Sequence, residues 1–138
     1  MQLASQQRMN TGVRRKVFAV IMSAEDCMDA MQQLYALPDV KGSQQREFVR
    51  VAVDCCMQEQ SFNGYYAVLI SNLCLQAHEH RRTMAFCLWD RLREVEAMDS
   101  TSLQNLQQLL AFVIAKGAIT LGVLKVCAAF AWCVCVSG

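Results

Sequence analysis

The sequence predicts an all-α fold, a stack of about six to seven helices paired as antiparallel hairpins. Three observations carry this. Only Pro38 and six glycines interrupt 138 residues, and Leu, Met, Gln, Ala and Glu are abundant. Apolar residues make up 54% of the chain and recur at helical spacing. Turn and cap signals divide the periodic segments at short intervals, which makes consecutive helices antiparallel neighbours.

Residues 1–10 are polar and read as a flexible N-terminus. From Thr11, the spacing of Val13, Val17, Val20 and Ile21 makes one helical face, with Arg14, Arg15 and Lys16 turned to solvent. Ser23 reads as the N-cap of a second helix, with Glu25 and Asp26 in its first turn, where the helix dipole favours acids. Cys27, Met31, Leu34 and Tyr35 form that helix's stripe, and it stops before Pro38. Residues 37–43 are a turn, with Ser43 capping a third helix built on Phe48, Val49, Val51, Ala52, Cys55 and Cys56. SFNG ends it, and Ser61 or Asn63 caps a fourth, YYAVLISNLCLQ. The polar break AHEH leads to a fifth, with Met84, Phe86, Cys87, Leu88, Leu92 and Val95 as its core stripe. After a loop over 97–102, Ser102 caps a sixth helix that ends near Gly117, and ITLGVLKV reads as a seventh. Packing is expected to rest on Phe18, Phe48, Tyr66, Leu69, Phe86, Trp89, Leu106 and Leu110. On that reading Trp89→Ala costs ~3–5 kcal/mol, as large core truncations do.

The last stretch differs in kind. Residues 127–138 form an atypical apolar tail, and 118–136 carry one charge, Lys125. That is long enough to raise a membrane span, but a charge near its middle is costly, and an irregular tail is the better reading.

Composition also limits function. A net charge of +1 gives no long-range field to gather nucleic acid or acidic substrates. The eight cysteines fall largely within apolar periodic segments after a polar N-terminus without a secretory pattern. They read as reduced thiols used as small hydrophobes, in cytosol or nucleus. Cys55 and Cys56 are helix neighbours pointing about 100° apart, unsuited to a mutual disulfide. Cys133 and Cys135 lack a second pair at zinc spacing, so neither metal nor cofactor is expected. His78 and His80 read as surface residues of a helix–helix turn, with no third ligand and no nucleophile arrangement around them. No Gly-rich phosphate cradle occurs. The candidate sites are therefore surfaces. Glu94, Glu96 and Asp99 form an acidic loop that suits a basic partner, with Glu25 and Asp26 as a second acidic start. Arg14, Arg15, Lys16, Arg81 and Arg82 are candidates for weak RNA contact if both clusters share a side.

Three segments resemble a known family. RRKVFAVIMSAEDCMDAMQQL, REFVRVAVDCCMQEQSFNGYYAVLISNLC and FCLWDRLREVE are similar to the MI domain of the initiation factor 4G family. That module is shared by the programmed-cell-death translation repressor, a splicing factor of the Cwc-twenty-two type and the nucleolar MIF4G-domain proteins. The phrase C-C-x-Q-E-x-x-F/Y-N-x-F/Y-Y, Cys55 to Tyr66, resembles the two nuclear branches, and the tryptophan in FCLWDRLRE resembles the nucleolar one. The resemblance covers about residues 13–126, so that 11–126 is assigned as the domain.

It implies a HEAT-like stack without enzymatic activity that docks a 4A-type DEAD-box RNA helicase or proteins of the pre-ribosomal particle. It further implies a nucleolar role in small-subunit ribosomal RNA processing, with a pre-mRNA splicing role or an RNA-binding helical repeat as alternatives. Asp99 matches one of the family's helicase-contacting acids. The companion position holds Val95, between Glu94 and Glu96. The MIF4G domain and basic N-terminal region of the relatives are not in the sequence, which reads as a C-terminal fragment or shortened gene product.

Overall fold

The computed structural model describes the backbone from Gln2 to Thr120 and side chains from Thr11 to Thr120. The expected seventh helix, the apolar tail and the stretch weighed as a membrane span lie wholly or mostly outside the described residues. No helix among the described residues is long and apolar enough to cross a membrane.

Six α-helices follow one another among the described residues: α1 (Gln2–Ser23), α2 (Cys27–Tyr35), α3 (Arg46–Gln58), α4 (Gly64–Gln76), α5 (His78–Arg93) and α6 (Ser100–Ala115). Short 3-10 turns at Gly42–Gln45 and Val95–Ala97 precede α3 and α6, and no strand occurs among the described residues. The α1 backbone begins at Gln2, inside the segment read as a flexible lead-in. The described part of α1 buries Val13, Val17 and Ile21, a strict i, i+4 row.

Three expected caps are corrected. Ser23 is the last residue of α1; α2 is capped by Asp26, whose Oδ1 accepts from Asp29 N at 2.8 Å. Asp29 in turn accepts from Glu25 N at 3.0 Å, so two orphan amides are satisfied reciprocally. Ser43 caps nothing. The chain turns at Gly42, whose φ of 62° is left-handed and open to glycine at no steric cost, and runs through the 3-10 turn into α3. At α6 the cap is Asp99, accepting from Ser102 N at 2.8 Å, because it stands one residue before the helix while Ser102 lies inside it. Asn63 does cap α4, accepting from Tyr65 N at 3.0 Å. α6 ends as expected at Gly117, whose φ is 74°.

α3 is the hub. Nine of its thirteen residues are buried, from Glu47 and Phe48 to Cys56 and Met57, and it packs on α1, α4, α5 and α6. Polar contacts fix the directions. Tyr65 Oη donates to Ile21 O at 2.8 Å, and Tyr66 Oη lies 3.1 Å from Glu59 Oε1 and 3.4 Å from Met22 Sδ. Asn105 Nδ2 donates to Glu59 O at 2.8 Å and Cys56 O at 3.2 Å. The ends of α1 and α3 thus meet the starts of α4 and α6. Farther along α3, Asp54 takes Arg14 of α1 on one oxygen and Arg91 of α5 on the other. α1, α3 and α5 therefore run one way and α2, α4 and α6 return.

Five of the residues expected to carry the packing, Phe48, Tyr66, Leu69, Leu106 and Leu110, are buried. Phe18 and Phe86 are not, at 49% and 52% exposed. The periodicity explains both. Met84, Leu88 and Leu92 make the buried i, i+4 row of α5, and Phe86 lies on the opposite side of it. Trp89 is half-buried, edge-on to Phe86 with ring centroids 5.3 Å apart. The largest correction is at His80. AHEH is not a break: only Ala77 separates α4 from α5, and His80 sits in the first turn of α5 with 3% exposure. His78 stays exposed.

Candidate partner-docking surface

Because the odd-numbered helices point one way, the α1–α2, α3–α4 and α5–α6 connections all come to one end of the stack. This end carries the acids. Glu94 closes α5, its N–H donating to Arg91 O at 3.1 Å. Glu96 lies in the following 3-10 turn, and Asp99 starts α6. All three are exposed. Glu25 and Asp26 occupy the α1–α2 connection of the same end, also exposed, and half-buried Glu59 closes α3 there. The two acidic groups seen in the sequence are brought to one end, with no hydrogen bond or ion pair between them among the described residues. Sequence reasoning missed Glu59, whose place at this end depends on Tyr66 and Asn105 holding the α3 terminus.

The acids differ in freedom. The Asp99 carboxylate is held below its usual range by its hydrogen bonds to Ser102, so it has a structural task as a cap. Asp29 is held low by Glu25 N and Gln33, and Asp39 by Lys16 at 2.7 Å. Glu25, Glu94 and Glu96 make no side-chain hydrogen bond or ion pair among the described residues.

The basic residues divide similarly. Arg14 is bound to Asp54 and lies 3.6 Å from Glu47 Oε2. Lys16 is paired with Asp39, and Arg81 Nε donates to Cys74 O at 2.9 Å. Arg15 and Arg82 are exposed and make no hydrogen bond or ion pair among the described residues. Arg14 and Arg82 do share a flank. A shallow cavity of about 310 Å³ holds Arg14, Arg50, Arg91, Asp54, Asp90 and Glu94. Arg50 also lines its neighbour, where Arg82 sits. Arg46 and Arg50 went unremarked in the sequence, although their i, i+4 spacing on α3 puts them on one face.

The buried and half-buried thiols Cys55, Cys56, Cys74 and Cys87 are held in their protonated form. Burial pushes the Cys55, Cys56 and Cys87 thiols up to about 11 and Cys74 to about 12. The cysteines of the described residues are unpaired, and no group of three His, Cys, Asp or Glu there could hold a metal ion. The described surface carries two charged regions, one acidic at the end of the stack and one basic on its flank.

Comparison with known proteins gives the family. The profile of the MA3 domain matches residues 13–120, all six hairpin helices less the beginning of α1. The chain belongs to the MA3 domain family. The resemblance to the MI domain, drawn from the segments around Cys55–Tyr66 and Trp89, is to this same family. The MA3 chain is 39% identical over 126 residues to human nucleolar MIF4G domain-containing protein 1, covering 91% of the chain and 14% of that protein. It is 35% identical over 97 residues to the Saccharomyces cerevisiae suppressor of glycerol defect protein 1, covering 68% of the chain and 11% of that protein. A third relative is the Caenorhabditis elegans pre-mRNA-splicing factor CWC22 homolog, 28% identical over 109 residues, which are 79% of the chain and 12% of that protein. The MA3 domain thus spans a small part of each relative's length.

Proposed function

We propose that this MA3 domain is a non-catalytic docking scaffold of the nucleolus and nucleus, serving small-subunit ribosomal RNA processing. Its partner is a 4A-type DEAD-box RNA helicase or a protein of the pre-ribosomal particle. One observation carries the docking reading: Glu25, Asp26, Glu94, Glu96 and Asp99, apart in sequence, are exposed at one end of the helical stack. Exposed acids on short, capped connections lose little freedom on binding and steer a basic surface toward them. The relatives named as nucleolar MIF4G proteins support the compartment.

The test is a pull-down of the full chain with a purified 4A-type helicase. Glu96→Lys and Glu25→Lys reverse charge without touching a cap, and Asp99→Ser removes the charge while keeping a capping oxygen. Loss of binding in the reversed forms, with an unchanged melting temperature, is the expected result. Absence of binding by the unaltered chain sinks the helicase partner and leaves the pre-ribosomal one.

A second reading rests on the relatives named pre-mRNA-splicing factor. It places the same scaffold in the spliceosome, and co-sedimentation of a tagged chain with spliceosomal rather than pre-ribosomal particles would select it. Direct RNA binding through the basic residues is the weaker alternative, since Arg14, Lys16 and Arg81 are already engaged within the fold.

A further inference from the structure

Arginines gather away from the acidic end, along the first half of α3 and α5. Arg46 and Arg50 stand one turn apart on α3, and Arg82 and Phe86 stand one turn apart on the parallel α5. The four line a cavity of about 270 Å³, with Glu79 and Thr83 completing its wall. All three arginines are exposed, and none makes a hydrogen bond or ion pair among the described residues. That separates them from Arg14, Arg91 and Arg81, which the fold uses. The acid nearest on α3, Glu47, is buried and lies against Arg14. Thr83 is buried, its hydroxyl committed to Glu79 O at 3.0 Å. Phe86 is half open to solvent, set edge-on against Trp89.

We infer that this cavity between α3 and α5 binds a short acidic peptide segment, its carboxylates on Arg46, Arg50 and Arg82 and an apolar side chain on Phe86. Unpaired guanidinium forks match carboxylates in a bidentate manner. An exposed phenylalanine beside them offers the apolar contact that fixes register. The extent of the patch favours peptide over nucleic acid. Glu79 closes one side, and Asp90 and Glu94 stand in the adjoining cavity beyond Arg50. A strand of several phosphates would run onto those acids, whereas a segment with one or two carboxylates would not. This site is independent of the acidic end, so either can fail without the other.

The experiment is fluorescence anisotropy on the full chain at low salt, with a short labelled peptide of alternating glutamate and leucine as probe. Saturable binding is expected, weakened about fivefold to tenfold by Arg46→Ala with Arg82→Ala, and again by Phe86→Ala. Arg50→Gln serves as a milder second variant, and all these side chains are exposed, so each variant stays folded with at most a small fall in melting temperature. Arg15→Ala, on α1 outside the cavity, leaves affinity unchanged. Absence of binding, equal binding by the arginine variants, or tighter binding of an oligouridylate through the same arginines would each overturn the proposal.

Discussion

Tyr35 Oη and His80 Nε2 lie 2.8 Å apart, tying the end of α2 to the first turn of α5. Phe48 of α3 sits between the helices, its ring 5.4 Å from Tyr35 and 5.9 Å from His80. His80 Nδ1 is buried without a partner. The charged ring carries an N–H on both nitrogens, and the one at Nδ1 has no acceptor among the described residues; burial holds the histidine below its usual range.

This gives the fold a pH dependence of known sign. The unfolded chain protonates His80 near its ordinary value while the folded chain resists, so the unfolded state binds more protons below about pH 6.5. Stability is expected to fall between pH 7.5 and 5.5, by no more than ~1.4 kcal/mol for a single histidine. Urea unfolding at the two values measures it, and His80→Leu should flatten the slope. The Glu47 carboxyl, raised by burial, works in the opposite sense.

Asp54 is the second long-range tie. It receives Arg14 from α1 and Arg91 from α5, with about a third of its side chain exposed (32%). Asp54→Ala is expected to cost about 1–2 kcal/mol, less than a fully buried pair because solvent screens it. A double-mutant cycle on Arg14→Ala and Arg91→Ala should show coupling above about 0.5 kcal/mol through the shared carboxylate. Strict additivity would mean that the two pairs act separately.

Asn105 holds the exit of α3. It is 1% exposed and its amide satisfies the carbonyls of Cys56 and Glu59. Asn105→Ala leaves the buried carbonyl of Cys56 and the half-buried one of Glu59 short and is expected to cost about 2–3 kcal/mol. Because these bonds position Glu59, the variant should also weaken whatever binds the acidic end. Calorimetry and the helicase pull-down read the two effects separately.

Among the aromatics the ranking follows burial. Phe48→Ala is expected to cost ~3–5 kcal/mol, since the ring is fully enclosed. Trp89→Ala should cost less, about 1–2 kcal/mol, and Phe86→Ala under about 1 kcal/mol. Equal losses at Phe48 and Phe86 in thermal melts would contradict the arrangement of α5.

What could be read in advance was what local pattern decides. Helical period, the Asn63 cap, the stop before Pro38 and the turn at Gly117 each depend on a few neighbouring residues. The other caps failed because serine and aspartate compete within a few positions, and the winner is set by how the helices meet. Asp26 prevails over Ser23 because α1 continues through Ser23 itself. His80 was misplaced because its partner is Tyr35, 45 residues away, and AHEH offers no glycine or proline to break a helix. Phe86 was misplaced by hydrophobicity when its angle from the Met84–Leu88–Leu92 row already put it outside. The acids were legible as residues, but their gathering at one end required the helix directions, which Tyr65, Tyr66 and Asn105 fix.

The central place of α3 bears on how the molecule comes apart. In an elongated repeat protein each hairpin touches only its neighbours, and terminal units open before the middle. Here one helix of thirteen residues touches partners from all three hairpins. Opening any hairpin bares part of that helix, so partial unfolding has no cheap intermediate. Hydrogen exchange should find the amides of α3, α4 and the inner face of α6 protected to nearly the same free energy, released in one global event. Single-step melting would then report on the whole stack, and a chain cut within the α3–α4 connection would leave neither half folded.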